Sequence, residues 1–316
     1  MRRILAGALA ALFCASVSAQ YPNKPIRLIV PFPPGGAAEL GARIYAQPLG
    51  QALGQPIIIE TKPGGDGVIA ADAAMKAPAD GYTLFYATNT AFSWVPAVRK
   101  NPPYDPLTDF TPVSLVGTFG FFLFTHPSVP AKSVAELLAY VRANPGKLNY
   151  GSGNSTSMLT TAQLLLLEKL DIVHVPYRGD APLSIDLVGG RVQMAFATPG
   201  TLAPQVKEGK LRALATLLPS RSPLLPDAPT AAEAGLAGLT ITPWGGIFGP
   251  AKMPRPIVDR VGRELAAVLK RPEVLEAFQR IAFEARSSTP EELTAFVKEQ
   301  LEVWRRTARE VGIQPE

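Results

Sequence analysis

The stretch PFPPGGAAEL (residues 31–40) closes an apolar run, IRLIVPF (26–32), and opens into an amphipathic segment. A strand that turns into a helix through prolines and two glycines is the first half of a β–turn–α unit. The prolines stiffen the entry, glycine lets the backbone approach a ligand closely, and the following helix presents N–H groups with a partial positive charge. Such a turn can hold a carboxylate without any arginine, and it can equally be plain scaffolding. The rest of the chain has to decide between the two.

Working outward, the alternation continues with a helix over about 39–53, PIIIE (56–60), a helix over about 67–76 and YTLFYAT (82–88). This βαβαβ order predicts a parallel sheet covered by helices. A second α/β set follows: FFLFTHP (121–127), SVAELLAYVRAN (133–144), LNYGS (148–152), a helix over about 156–169, DIVHVPY (171–177), LSIDLVGG (183–190), VQMAFAT (192–198) and LRALATL (211–217). The chain then gives WGGIFGP (244–250) and helices near 256–270, 272–283 and 290–311. No repeat of fixed period occurs. Two long extended runs, 113–127 and 239–250, read as crossings between two lobes, with a single continuous sheet as the alternative. Two crossings place residues 20–123 and 245–316 in lobe 1 and residues 124–244 in lobe 2, joined by a hinge at a cleft.

The first 19 residues, MRRILAGALAALFCASVSA, run from two arginines through an apolar core to small residues at Val17 and Ala19. That order is a secretory signal peptide (1–19) with cleavage before Gln20, and it places the mature protein in the periplasm. The apolar run is short for a membrane anchor, and Phe13 stands where a lipoprotein site at Cys14 wants a small residue. Cleavage removes the chain's one cysteine, leaving no disulfide or thiol chemistry, and removes Arg2 and Arg3, taking the formal net charge from +5 to +3. The remaining basic residues are scattered and not interleaved with aromatics, which argues against nucleic acid as a partner. A mild positive excess suits small anions.

Most reactive constellations are missing. The Gly-Lys pairs at 146–147 and 209–210 are each followed by leucine, so no phosphate loop exists, and GSGNST (151–156) lacks the third glycine of a dinucleotide fingerprint. Neither GxSxG nor HExxH occurs, and no cofactor or metal is implied. His126 and His174 read as hydrogen-bonded structural imidazoles, and KPGGDG (62–67) as the turn into the next helix. What remains are five small polar loops at strand carboxyl ends, where open α/β sheets bind ligands: PPGGAAE (33–39), ATNTA (87–91), GSGNSTS (151–157), PYRGDAP (176–182) and ATPGT (197–201). At least one of Ser152, Ser155 and Thr156 is expected merely to cap a helix, and Arg178 is expected to make either a ligand contact or a salt bridge, local to Asp180 or across the lobes.

The ordered blocks VPFPPGG, ETKPGGDG, DGYTL, NYGSGN, VHVPYRGDAP, DLVGGRVQMAF, GKLRALA and WGGIFGP resemble the solute receptors of tripartite tricarboxylate transporters, the Bug receptors, over essentially the whole mature chain. The resemblance implies a two-lobe periplasmic binding protein of the Venus-flytrap, type II-like kind. Each lobe would be a sheet flanked by helices, with the cleft at the strand carboxyl ends. It further implies a monomer that closes over a small carboxylate (a dicarboxylate, amino acid or aromatic acid) and delivers it to integral membrane transporter subunits. Carried onto this chain, the carboxylate loop comprises Phe32, Pro34, Gly35, Gly36, Ala37, Ala38 and Glu39, with Asn89 and Thr90 beside it. The facing lobe offers Ser152, Asn154, Ser155, Thr156, Tyr177, Arg178, Gly179, Asp180 and Thr198. Glu39 departs from the family's usual aspartate, and Thr198-Pro199 from a more polar pair. A secreted α/β hydrolase or isomerase, or a receptor that signals to a membrane sensor, are the competing readings.

Overall fold

The computed structural model describes residues 21–241 and 243–315, so the expected signal peptide lies outside the described residues. Two separate sheets form. The first has six strands in the order β11–β4–β10–β3–β1–β2, built from β1 (Ile26–Val30), β2 (Ile57–Thr61), β3 (Thr83–Thr88), β4 (Phe110–Phe119), β10 (Trp244–Pro250) and β11 (Phe283–Ala285). The second has five in the order β7–β6–β8–β5–β9, from β5 (Phe122–Thr125), β6 (Asn149–Ser152), β7 (Val173–Pro176), β8 (Met194–Ala197) and β9 (Arg212–Thr216). In the first sheet β2, β1 and β3 run parallel, and β10 and β11 return antiparallel. In the second, β7, β6 and β8 run parallel and β5 runs against β8 and β9. The central strands are covered on both faces and read accordingly as near-continuous apolar runs, such as the fully buried TLFYAT of β3.

Helices α1 (Ala37–Leu53), α2 (Val68–Met75), α3 (Val95–Val98), α8 (Arg255–Val268), α9 (Pro272–Gln279) and α10 (Pro290–Glu310) serve the first sheet. Helices α4 (Val134–Ala143), α5 (Ser155–Glu168), α6 (Asp180–Val188) and α7 (Leu202–Lys207) serve the second. Their limits follow local chemistry. Thr289 and Glu292 form a reciprocal capping box ahead of α10, with Pro290 at its first position, and Gly54 ends α1 in a left-handed cap.

Three expectations shift. The chain passes between the sheets at Gly120–Phe121, so Phe122 and Leu123 belong to the second sheet, ahead of the expected 123/124 boundary. Because β4 and β5 read as one apolar run, only pairing could locate that change of sheet. The return falls at Trp244, which already pairs with Thr118 in the first sheet. The helix expected over 272–283 stops at Gln279: Ala282 turns to φ 51°, and Phe283–Ala285 becomes the short edge strand β11.

Candidate functional site

All five polar loops emerge from strand carboxyl ends, three from the second sheet and two from the first. The loop after β1 is shaped by Gly35, at φ +80°, and by a Gly36 N–H donated to the Pro33 carbonyl at 3.3 Å. Gly36 is the N-cap of α1, extended at φ −75° and ψ 158°, and has no side chain with which to cap. The first-turn N–H groups of Ala37, Ala38 and Glu39 therefore have no capping side chain among the described residues, at the positive end of a 17-residue helix. Phe32 packs against the core beneath, while Pro34 and Gly35 are exposed. Glu39, placed in the ligand set from the sequence, turns inward instead. It is 2% exposed, accepts the Gly35 N–H at 3.1 Å through Oε2, and pairs with Arg43 through Oε1. Its reach back to the loop four residues earlier makes it a brace for the turn.

The KPGGDG turn supports the same loop from the other side. Gly67 sits at φ +91°, and a Cβ there would lie 3.0 Å from the Cβ of Ala91 and 3.1 Å from that of Pro31. Only glycine lets the two first-lobe loops approach this closely. Two further hydroxyls lie on the neighbouring strand, that of Tyr86, within the apolar run YTLFYAT, and that of Thr88, at the start of the ATNTA loop. Tyr86 and Thr88 share one face of β3, and both hydroxyls are buried without a hydrogen-bond partner among the described residues. Tyr86 pairs with Ile247, yet its hydroxyl lies against Gly245, which pairs with Thr88. Its ring thus leans toward the carboxyl end of β3, where the α1 N-terminus stands. The period of two along β3 is the signal that puts both on one face, since Thr88 is the last residue of the strand as well as part of ATNTA.

In the second lobe, three loops converge on one carboxylate. Asp180 accepts from Asn154 Nδ2 at 3.2 Å and from Thr198 Oγ1 at 2.9 Å, which ties the loops after β6, β7 and β8 together. Burial pushes its carboxyl above the ordinary aspartate range, opposed by the Thr198 and Asn154 hydrogen bonds. Asn154 also caps α5 by accepting the Ser157 N–H at 2.9 Å. Asn154, not Ser152, Ser155 or Thr156, is the capping residue. Ser152 bonds His174 Nε2 at 2.7 Å, and the His174 ring stacks on Tyr150. Desolvation lowers the His174 pKa. Ser155 Oγ is buried and has no partner among the described residues. Tyr177 spends its hydroxyl on Asp186 at 2.8 Å, and loss of solvent together with that carboxylate pushes it up to about 12. Arg178 is exposed and pairs with Asp180 in none of the described ion pairs; Gly179 is the N-cap of α6.

The lobes meet at Asn89 and Thr156. Asn89 Nδ2 donates to Thr156 Oγ1 at 2.6 Å, and its Oδ1 accepts the Trp244 N–H at 3.1 Å. Asn89 and Thr156, expected as ligand contacts, join the two lobes and the returning strand; Thr90, beside Asn89, is 4% exposed. Behind them Leu159 of α5 is fully buried in the first lobe's aromatic core with Phe92, Trp94 and Trp304. Gln163 and Thr240 exchange two hydrogen bonds at 2.8 and 3.1 Å. The helix N-terminus, the braced glycine turn and the hydroxyls of β3 thus lie at the carboxyl ends of the first-lobe strands, and the second-lobe polar loops at the carboxyl ends of theirs, with the lobes bonded at Asn89 and Thr156. No metal-binding group of three or more His, Cys, Asp or Glu occurs among the described residues, and no described helix is long and apolar enough to cross a membrane.

Two sheet-and-helix lobes with polar loops converging between them define a solute-binding protein of the periplasmic type. The family model described as tripartite tricarboxylate transporter family receptor matches residues 42–313, and the chain belongs to that family. It is 34% identical to protein BugT of Bordetella pertussis strain Tohama I over 306 residues, spanning 94% of this chain and 93% of BugT. Among solved structures, R. palustris Rpa4515, determined with adipate, superposes with a TM-score of 0.84 at 33% identity, covering 94% of this chain and 100% of that one. The periplasmic binding protein BugD superposes with a TM-score of 0.81 at 30% identity over 94% and 100% of the two chains.

Proposed function

We propose that this receptor is exported, cleaved before Gln20, and binds a small carboxylated solute whose carboxylate sits on the open N–H groups of Ala37 and Ala38. The lobes close over the solute about the crossings near Gly120 and Trp244 and present it to the integral membrane subunits of a tripartite transporter. The observation that carries this reading is the uncapped N-terminus of α1 at the carboxyl end of β1, with buried hydroxyls lacking partners among the described residues at Thr88, on the neighbouring strand, and at Ser155, at the start of α5. Adipate in the R. palustris relative supports a carboxylate as the solute. The solute leaves unchanged. Ser152 and His174 share a hydrogen bond of the kind a serine hydrolase uses, but no carboxylate orients the second ring nitrogen among the described hydrogen bonds, and the ring is stacked on Tyr150.

Ala37→Pro tests the site by deleting one N–H and little else. Proline suits the first position of a helix, and the extended Gly36 before it already has the conformation that proline demands of its predecessor. Folding stability is expected to hold. Affinity for the best carboxylate in a calorimetric panel should fall by about tenfold to 150-fold, since a charge-assisted hydrogen bond contributes roughly 1.5–3 kcal/mol. Unchanged affinity in the folded variant places the carboxylate elsewhere.

A further inference from the structure

We propose that Asp180 is the specificity-determining residue of the cleft, turning away solutes with a second carboxylate and favouring monocarboxylates whose far end carries a hydrogen-bond donor. The inference rests on the reading that one carboxylate is held at α1, and it concerns the opposite end of the solute. Three second-lobe loops place their polar groups around this one carboxylate, and the donors it meets, Asn154 Nδ2, Thr198 Oγ1 and the Thr198 backbone N–H, are all neutral. No lysine, arginine or histidine pairs with it among the described ion pairs. The loop after β6 lies directly against it: a Cβ on Gly153 would sit 2.3 Å from its Oδ1 and 2.8 Å from its backbone nitrogen.

An ionised carboxylate has about four lone-pair sites, and the two side-chain donors with the Thr198 backbone N–H leave one of them open. Asp180 can therefore accept a further N–H or O–H from a solute. A second carboxylate beside it would add like charge where solvent is already scarce, and rejection by such repulsion is how binding sites discriminate among otherwise similar ligands. Its place at the first position of α6 lets the helix dipole favour the charged form that exerts this repulsion. Arg178 carries the opposite reading, in which a cation welcomes a second carboxylate. Its side chain is exposed, so solvent screens what it offers, whereas Asp180 is half-buried among its partners.

The test is calorimetric titration of the mature receptor with solutes matched in length: glutarate, glutaramate and 4-aminobutyrate; adipate, adipamate and 5-aminopentanoate; terephthalate and terephthalamate. In the series that fits the cleft, the amide or amine is expected to bind at least about tenfold tighter than the dicarboxylate, and Asp180→Asn to reduce that ratio at least about tenfold. The wild-type ratio needs no variant, and circular dichroism checks that Asp180→Asn is folded. A dicarboxylate that binds the wild type more tightly overturns the proposal. So does a ratio unchanged in Asp180→Asn, or Arg178→Ala abolishing dicarboxylate binding. Ala37→Pro separates this from the underlying reading: it should weaken every member of a series equally and leave the ratio intact. Unchanged binding in Ala37→Pro overturns the α1 site whatever the ratio does, and no binding in any series overturns both.

Discussion

Replacing Thr156 with valine tests whether the lobes separate at Asn89. The two side chains are nearly isosteric, so packing around the first turn of α5 should survive, and Asn154 continues to cap that helix. What disappears is the acceptor for Asn89 Nδ2, which is 2.6 Å from Thr156 Oγ1 in a site where both residues are buried. In the closed form the variant leaves an amide donor unpaired and dry, at a cost of roughly 1–3 kcal/mol. In an open form, water meets both groups and the cost vanishes. The substitution thus acts on the closing equilibrium, and a ligand that binds only the closed form pays the whole difference. Affinity should drop by about 5- to 150-fold, while the first lobe keeps the Asn89–Trp244 bond intact. Calorimetry with the best-binding carboxylate gives the affinity, and small-angle scattering gives the population, with the ligand-free variant more expanded than the wild type. Equal affinity combined with reduced stability to denaturant would refute the reasoning. That result means the Asn89–Thr156 bond persists in every state and the pivot lies elsewhere.

Gly67→Ala should destabilise the protein by at least about 1 kcal/mol and weaken solute binding as well, because it combines left-handed strain with a methyl group 3.0 Å from Ala91 and 3.1 Å from Pro31; urea denaturation and titration of the folded variant check the two effects separately. Acid should cost stability through His174. Its pKa is lowered by desolvation, so the stability it contributes is present above about pH 6.5 and is lost as pH falls through the depressed folded value. Melting curves of wild type and His174→Asn should therefore converge in that window, and parallel curves would contradict it. Asp180 has the opposite sign: its pKa is raised by burial, so the stability it contributes is present at low pH and is lost as pH rises through its folded value. The difference between wild type and Asp180→Asn should therefore move against the wild type from about pH 4 upward.

Period and punctuation determined much of this protein without any coordinates. The βαβαβ alternation, the apolar strands and the Gly-Gly turn at the mouth of α1 are local, since two residues of strand repeat or one turn of helix suffice to express them. So are the five strand-end loops, because a strand followed by a helix leaves its loop at the carboxyl end. Side-chain partnership was not legible, because it depends on which loops the fold brings together. Nothing in the sequence separated Glu39 as a brace from Glu39 as a ligand, since its orientation depends on a turn that points Gly35 N–H back at it. Asn89 and Thr156 are 67 residues apart, and only the packing of α5 against the first lobe makes them a pair. The hydroxyls of Tyr86 and Thr88 are ordinary strand residues until burial leaves them without partners. Local chemistry wrote the elements and their ends, whereas tertiary packing assigned each polar group its partner, because desolvation and hydrogen bonding act between groups close in space however far apart they lie along the chain.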